Sequence, residues 1–266
     1  ERPMFDYLVA EVLGQLPPDL AEFLLCASVL PELDAARCAE VTGRVDADRQ
    51  LDEIERLGLF VDVLDAPART LRLHDLFRDA LQQQLRLQQP ELHADLRHRA
   101  ALTEPDWKRR VTLLLELGDA GQAAAEMFAH APALVATTGY SGTEHLIGQF
   151  PAAFREQSPD LAFLRGLTSW TNWDFPAMHA SLERAAEGFG AAGDAARAQL
   201  AQAFLPHALI TLGRIDEAAA LVATLRSQPL SESARVMLLN AEIWLAIESC
   251  RHAAVAPLLA EMLGRL

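Results

Sequence analysis

Four stretches of this chain repeat one another: LELGDAGQAAAEM, TNWDFPAMHASLERA, ITLGRIDEAAALVATL and IESCRHAAVAPLLAEM. Each ends one helix, makes a two-residue turn and opens a second, alanine-rich helix. The turns begin at Gly118, Trp173, Gly213 and Cys250, which are 55, 40 and 37 residues apart. A helix pair of that length cannot bury its apolar face alone and must stack on its neighbours, so the repeat predicts a tetratricopeptide-like α-solenoid. Small or slim residues recur five positions after each turn start, at Ala123, Met178, Ala218 and Val255, where paired helices have to approach closely. The glycine usual in the first helix occurs at Gly166, while Pro206 and Ile243 hold the equivalent sites. The long first interval leaves room for an extra helix around SGTEHLIGQFPAAF.

Residues 1 to about 89 read differently. FDYLVAEVLGQL places Phe5, Leu8, Val9, Val12, Leu13 and Leu16 at helical spacing. PPDLAEFLLCASVL starts a second helix with Pro18 in its first turn, DAARCAEVTG ends a third at Gly43, and DADRQLDEIERLG ends a fourth at Gly58. LFVDVLDAPARTLRLH then gives two alternating runs parted by Asp65, Ala66 and Pro67, a hairpin signal. Helices, a two-stranded wing and a closing helix describe a winged-helix domain. The expected organisation is a mostly all-α chain, with a winged-helix domain at 1–89 followed by helical repeats at 90–266.

Composition excludes several functions. The formal charge is −14, which repels phosphate backbones, so no direct nucleic-acid binding is expected. The single lysine, Lys108, has no glycine-rich run before it, so a phosphate loop of the G-x-x-x-x-G-K type is absent from this sequence. Cys26, Cys38 and Cys250 form no C-x-x-C pair, and their odd number fits a reducing cytoplasm better than a disulfide framework. Cys26 and Cys38 fall in apolar helices and read as core. No apolar run approaches the roughly 20 residues of a membrane span. His93 and His98 are five apart, off one helical face, so no metal site is expected. Ser141 lacks a nucleophile frame, and DADRQLDEIER reads as a solvated helix face. The sequence opens at Glu1 and ends in AEMLGRL, and the expectation is a piece of something longer.

YLVAEVLGQLPPDLAEFLLCASVLPELDAARCAEVTG, LGLFVDVLD and LRLHDLFRDALQQQL closely resemble the region after the ATPase module in MalT-type, LuxR-family large ATP-binding transcription regulators, which are signal-transducing STAND ATPases. The resemblance is most specific over residues 7 to 85 and continues through ELGDAGQAAAEMF and the repeats. It implies an order of ATPase, winged helix, superhelical sensor and DNA-binding helix-turn-helix, of which this chain resembles the middle two. The implied winged helix is an intramolecular arm rather than a DNA reader.

The resemblance also bears on TLRLHDLFRDALQQQL, where a strand pattern becomes a helical one at His74 and Asp75. Related STAND ATPases carry a Met-His-Asp motif whose histidine reaches the β-phosphate of bound ADP and holds the resting state closed. The matching residues here are Leu73, His74 and Asp75. An imidazole can donate a hydrogen bond to phosphate and carry charge. The plainer reading is a polar residue near a helix start. Asp75 reads as the helix cap.

In the repeats, projecting the first helices onto a concave groove gives Trp170 and Thr171, then His207 and Thr211, then Asn240, Trp244 and Glu248. Indole faces among hydrogen-bonding groups suit a sugar, aromatic or peptide ligand. The competing expectation is that Trp170 and Trp244 fill inter-repeat core. The function expected is the arm and sensor portion of an ATP-dependent transcription regulator, itself not an enzyme. ATP or ADP would be bound by the full-length protein only. Its partners would be its own ATPase and DNA-binding modules and a small-molecule or protein inducer, with no membrane. The alternative is a tetratricopeptide scaffold that binds a protein partner with no nucleotide linkage.

Overall fold

The computed structural model describes residues 11–65 and 70–265. Phe5, Leu8 and Val9 of the expected first helix, and Ala66 and Pro67 of the hairpin turn, lie outside the described residues. The chain divides into two compact units, Glu1–Gly118 and Asp119–Leu266.

The first unit is the expected winged helix. Helical residues 11–15 precede α1 (Pro18–Ala27), which has proline at its first position. Helix α2 (Ala35–Thr42) starts where the Asp34 carboxylate accepts the Arg37 N–H at 2.9 Å. It stops at Gly43, and α3 (Ala47–Leu57) stops at Gly58. Both glycines are left-handed, with φ of 74° and 63°, so the fold needs residues there without a Cβ penalty. Strands β1 (Val61–Asp65) and β2 (Thr70–Leu73) pair antiparallel, Val61 opposite Leu73 and Val63 opposite Leu71. Leu33 adds a short third rung, exchanging two main-chain hydrogen bonds with Leu71 at 2.8 and 2.9 Å. Leu71 and Leu73 are buried while Arg72 between them is exposed, so the strand's period of two turns one face to the core.

That core joins Phe23, Leu24, Leu30, Leu33, Ile54, Phe77 and Leu81, with Cys26 and Cys38 among them as expected. Burial pushes the Cys38 thiol up to about 12, so it behaves as a small apolar side chain. The same cluster takes in Leu96 and Ala100 of α5 (Pro90–Leu102), after α4 (Asp75–Gln88). The compact unit ends only after α6 (Trp107–Glu116), later than the change of composition near residue 90.

The second unit is a tetratricopeptide-like solenoid. After α7 (Ala120–Ala129) comes α8 (Ala131–Gly148), broken at Gly139, and then the short α9 (Ala152–Gln157). These occupy the long first interval. Three helix pairs follow: α10 (Pro159–Thr171) with α11 (Phe175–Ala191), α12 (Ala195–Thr211) with α13 (Ile215–Arg226), and α14 (Glu232–Glu248) with α15 (Val255–Leu263), the last after a 3₁₀ turn at His252–Ala254. Helix α12 packs against α11, α13 and α14, which is the nearest-neighbour stacking of a solenoid. Ser158, Asp174, Asp194 and Ser231 each accept a backbone N–H at a helix start.

The repeat turns share one backbone state. Gly118, Trp173, Gly213 and Cys250 all have positive φ, at 79°, 60°, 74° and 56°. Ala123, Met178 and Ala218, five residues on, are fully buried, and Val255 is half-buried. A Cβ on Gly166 would lie 2.6 Å from Cγ of Leu182, so α10 and α11 approach too closely there for any larger residue.

Candidate functional site

His74 sits at the joint of β2 and α4, and its main chain is committed on both sides. Its N–H donates to the Phe60 carbonyl at 2.9 Å, and its carbonyl accepts the Arg78 N–H at 2.9 Å. The ladder therefore keeps the chain extended through His74, and the helix begins one residue later. His74, not Asp75, is the N-cap residue, and it makes no side-chain cap bond. The expectation that Asp75 caps the helix is corrected: Asp75 is the first helical residue, where its carboxylate still favours the positive dipole end. Its side chain lies 3.4 Å from Arg78. The imidazole of His74 is 54% exposed, and Nδ1 is 3.9 Å from an Asp62 oxygen, beyond hydrogen-bond distance. The fold thus fixes the backbone of His74 and leaves its ring about half exposed, beside Asp62.

The solenoid gathers most of the projected groove residues. Trp170 on α10, His207 and Thr211 on α12 and Trp244 on α14 line one cavity of about 130 Å³, so successive first helices supply one wall. Trp173, in the turn after α10, and Phe175, the first residue of α11, close it with Ile210. The Trp170 ring stands 5.1 Å from the His207 ring and edge-on to Phe204 at 5.7 Å. Trp173 meets Phe175 edge-on at 5.9 Å. Trp173 is 80% exposed and Trp244 47%, while Trp170 is half-buried.

Asn240 does not line this cavity. Its Oδ1 lies 2.7 Å from Nε2 of His207, and Nδ1 of His207 faces the Phe204 carbonyl at 3.3 Å. His207 is only 5% exposed, and burial lowers its pKa although both contacts raise it. The neutral ring has a single N–H to donate between these two oxygens, and in this buried position it is a floor of the cavity rather than a titrating group at neutral pH. Thr211 spends its hydroxyl proton on the His207 and Ala208 carbonyls and offers the cavity an acceptor. Thr171 and Glu248 are exposed and do not line the cavity. No lining residue carries a formal charge with His207 neutral, so the cavity offers aromatic faces and few polar groups.

Sequence projection missed Trp173 and Phe175. The signal was in the repeat itself: Trp173 occupies a turn position that Gly118 and Gly213 fill in sister repeats. A bulky residue in the left-handed region costs of the order of 1–2 kcal/mol, and such strain concentrates at functional sites.

Among the described residues, no group of three or more His, Cys, Asp or Glu side chains is placed to hold a metal ion, and no helix is long and apolar enough to cross a membrane.

Residues 9–93 match the family described as the MalT winged helix domain. This segment is a MalT winged helix domain. The likeness extends beyond it. The HTH-type transcriptional regulators MalT of Yersinia enterocolitica and of Yersinia pestis are each 31% identical to the chain over 185 residues. That is more than twice the span of the MalT domain and covers 68% of this chain, but only 20% of each relative. MalT of Yersinia pseudotuberculosis matches to the same extent. The chain thus spans about one fifth of the length of these curated MalT proteins.

Proposed function

We propose that this chain is the arm and sensor portion of a MalT-type, ATP-dependent transcriptional regulator of the cytoplasm. In this reading the aromatic cavity of the solenoid receives an inducer. The MalT-type winged helix acts as an arm on an ATPase module elsewhere in the same protein, with His74 meeting the phosphates of bound ADP. Inducer binding shifts a two-state equilibrium between closed and open forms, coupling the two sites. A helix-turn-helix module carries the output to DNA. The chain itself catalyses nothing.

The observation that carries the reading is the strained Trp173, held where two of its three sister turns use glycine, at the wall of a cavity built from three successive helix pairs. The likeness to MalT, named a transcriptional regulator, supports the setting. The match covers only 20% of each MalT relative, which leaves room for the other modules.

The test is inducer-dependent transcription by the full-length protein with Trp244→Ala. Trp244 is half exposed, so the variant should fold normally and require at least about tenfold more inducer, the loss expected of about 1.4 kcal/mol of contact. A normal inducer response in a folded variant would remove the cavity from the mechanism.

A further inference from the structure

The first unit holds a different kind of cavity. About 290 Å³ in volume, it opens among α2, α4, α5 and α6, and His74 is not part of its lining. Four arginines line it, Arg37, Arg78, Arg97 and Arg109, against one carboxylate, Glu116. That concentration stands out in a chain of formal charge −14.

The four are not equivalent. The guanidinium of Arg37 is spent: it donates to Glu104 at 2.8 Å, to the Ala100 carbonyl at 3.1 Å and to Thr103 at 3.4 Å. Glu104 is 4% exposed, so this pair is a fixed wall. The other three have donors to spare. Arg78 comes no nearer a carboxylate than 3.4 Å, to Asp75 on its own helix. Arg97 lies 3.7 Å from Glu116. The Arg109 side chain has no ion pair or hydrogen bond among the described residues. Other arginines of the same unit are tightly engaged: Arg49 reaches Asp46 at 2.7 Å and Arg99 reaches Asp95 at 2.6 Å. Three forks facing one cavity, two of them only loosely paired and one unpaired, match the planar, bidentate geometry of an oxyanion. Apart from Gln82, whose amide donates to the Ser28 carbonyl at 2.7 Å, the rest of the lining, including Val29, Pro31 and Leu113, is apolar.

We propose that this cavity binds a small organic oxyanion. Its phosphate or carboxylate head is held by Arg78, Arg97 and Arg109, and its apolar body rests against Val29 and Leu113. The site is separate from the aromatic cavity of the solenoid and would give the protein a second, anionic ligand.

Calorimetric titration of the 266-residue chain with phenyl phosphate and with benzoate tests it, with benzyl alcohol as the uncharged control. Saturable binding that weakens as salt rises is expected for at least one anion, and the tighter of the two identifies the head group. Arg97→Gln and Arg109→Gln should each weaken it by about tenfold or more, as loss of a charge-assisted hydrogen bond does. Arg184→Gln, in the other unit, should not. The Arg109→Gln chain should melt like the parent, because no contact within the fold is lost. The proposal is overturned by no saturable binding of either anion, by equal binding of benzyl alcohol, or by unchanged anion affinity in the Arg97→Gln/Arg109→Gln double variant.

Discussion

The Nε2 atom of His207 lies 2.7 Å from Oδ1 of Asn240, joining the first helices of two successive repeats beneath the aromatic cavity. Replacing Asn240 with alanine would leave a buried ring nitrogen without its partner. We expect a loss of about 1–3 kcal/mol in chemical denaturation of the solenoid unit. A loss below about 0.5 kcal/mol would mean that the pair does not clamp the repeats.

Burial depresses the His207 pKa, and this fixes the direction of a pH effect. In the unfolded chain the ring titrates near its ordinary value of about 6.5; in the fold it stays neutral to lower pH. Below that ordinary value the unfolded state binds more protons, so this contribution is complete above it and is lost as pH falls towards the folded pKa. Glu242 and Asp160, whose pKa values burial raises, act in the opposite sense at the acid end. The difference between the parent chain and His207→Gln isolates the histidine. Its stability advantage should shrink between pH 7.5 and pH 5, and a pH-independent difference would count against a buried neutral imidazole.

Trp173 allows a comparison of two truncations. Both Trp173→Gly and Trp173→Ala remove an 80% exposed ring. Only glycine also relieves the φ of 60°. Trp173→Gly should therefore be more stable than Trp173→Ala by about 1 kcal/mol, while both lose inducer response in the full-length protein. Equal stability would argue that the turn is unstrained.

Gly166→Ala should destabilise the solenoid by about 1–3 kcal/mol through overpacking, because the new Cβ would meet the fully buried Leu182 at 2.6 Å. The same change at Gly190, which has nothing within 4 Å of its Cβ position, should not. Thermal melts of the two variants decide this directly.

His74→Ala separates structure from signalling. The exposed ring supports little of the fold, so the melting temperature should hold. In the full-length protein, losing a charge-assisted bond to ADP would cost the closed state about 1.5–3 kcal/mol. Inducer-independent transcription should then rise by roughly tenfold or more. Unchanged basal transcription with normal folding would take His74 out of the switch.

What the sequence determined by itself is what local rules govern. Left-handed glycines at 43, 58, 118 and 213 end helices because only they adopt that backbone without cost, so helix limits and the repeat period were legible. Alternation in VDVLD and TLRL marked the wing, and the spacing of Trp170, His207 and Trp244 placed them on one groove. Contacts between distant segments were decided by the tertiary structure alone. The core of the first unit reaches into α5 because Leu96 and Ala100 pack on it, which a change in alanine content cannot report. Asp75 lost the cap position because the ladder from Phe60 holds His74 extended. Trp173 became a cavity wall, and Arg78, Arg97 and Arg109 came to share a cavity, through helix packing that brings together residues dozens of positions apart. Local conformation is encoded within a turn or two of chain, whereas a site made by several helices exists only once their packing is complete.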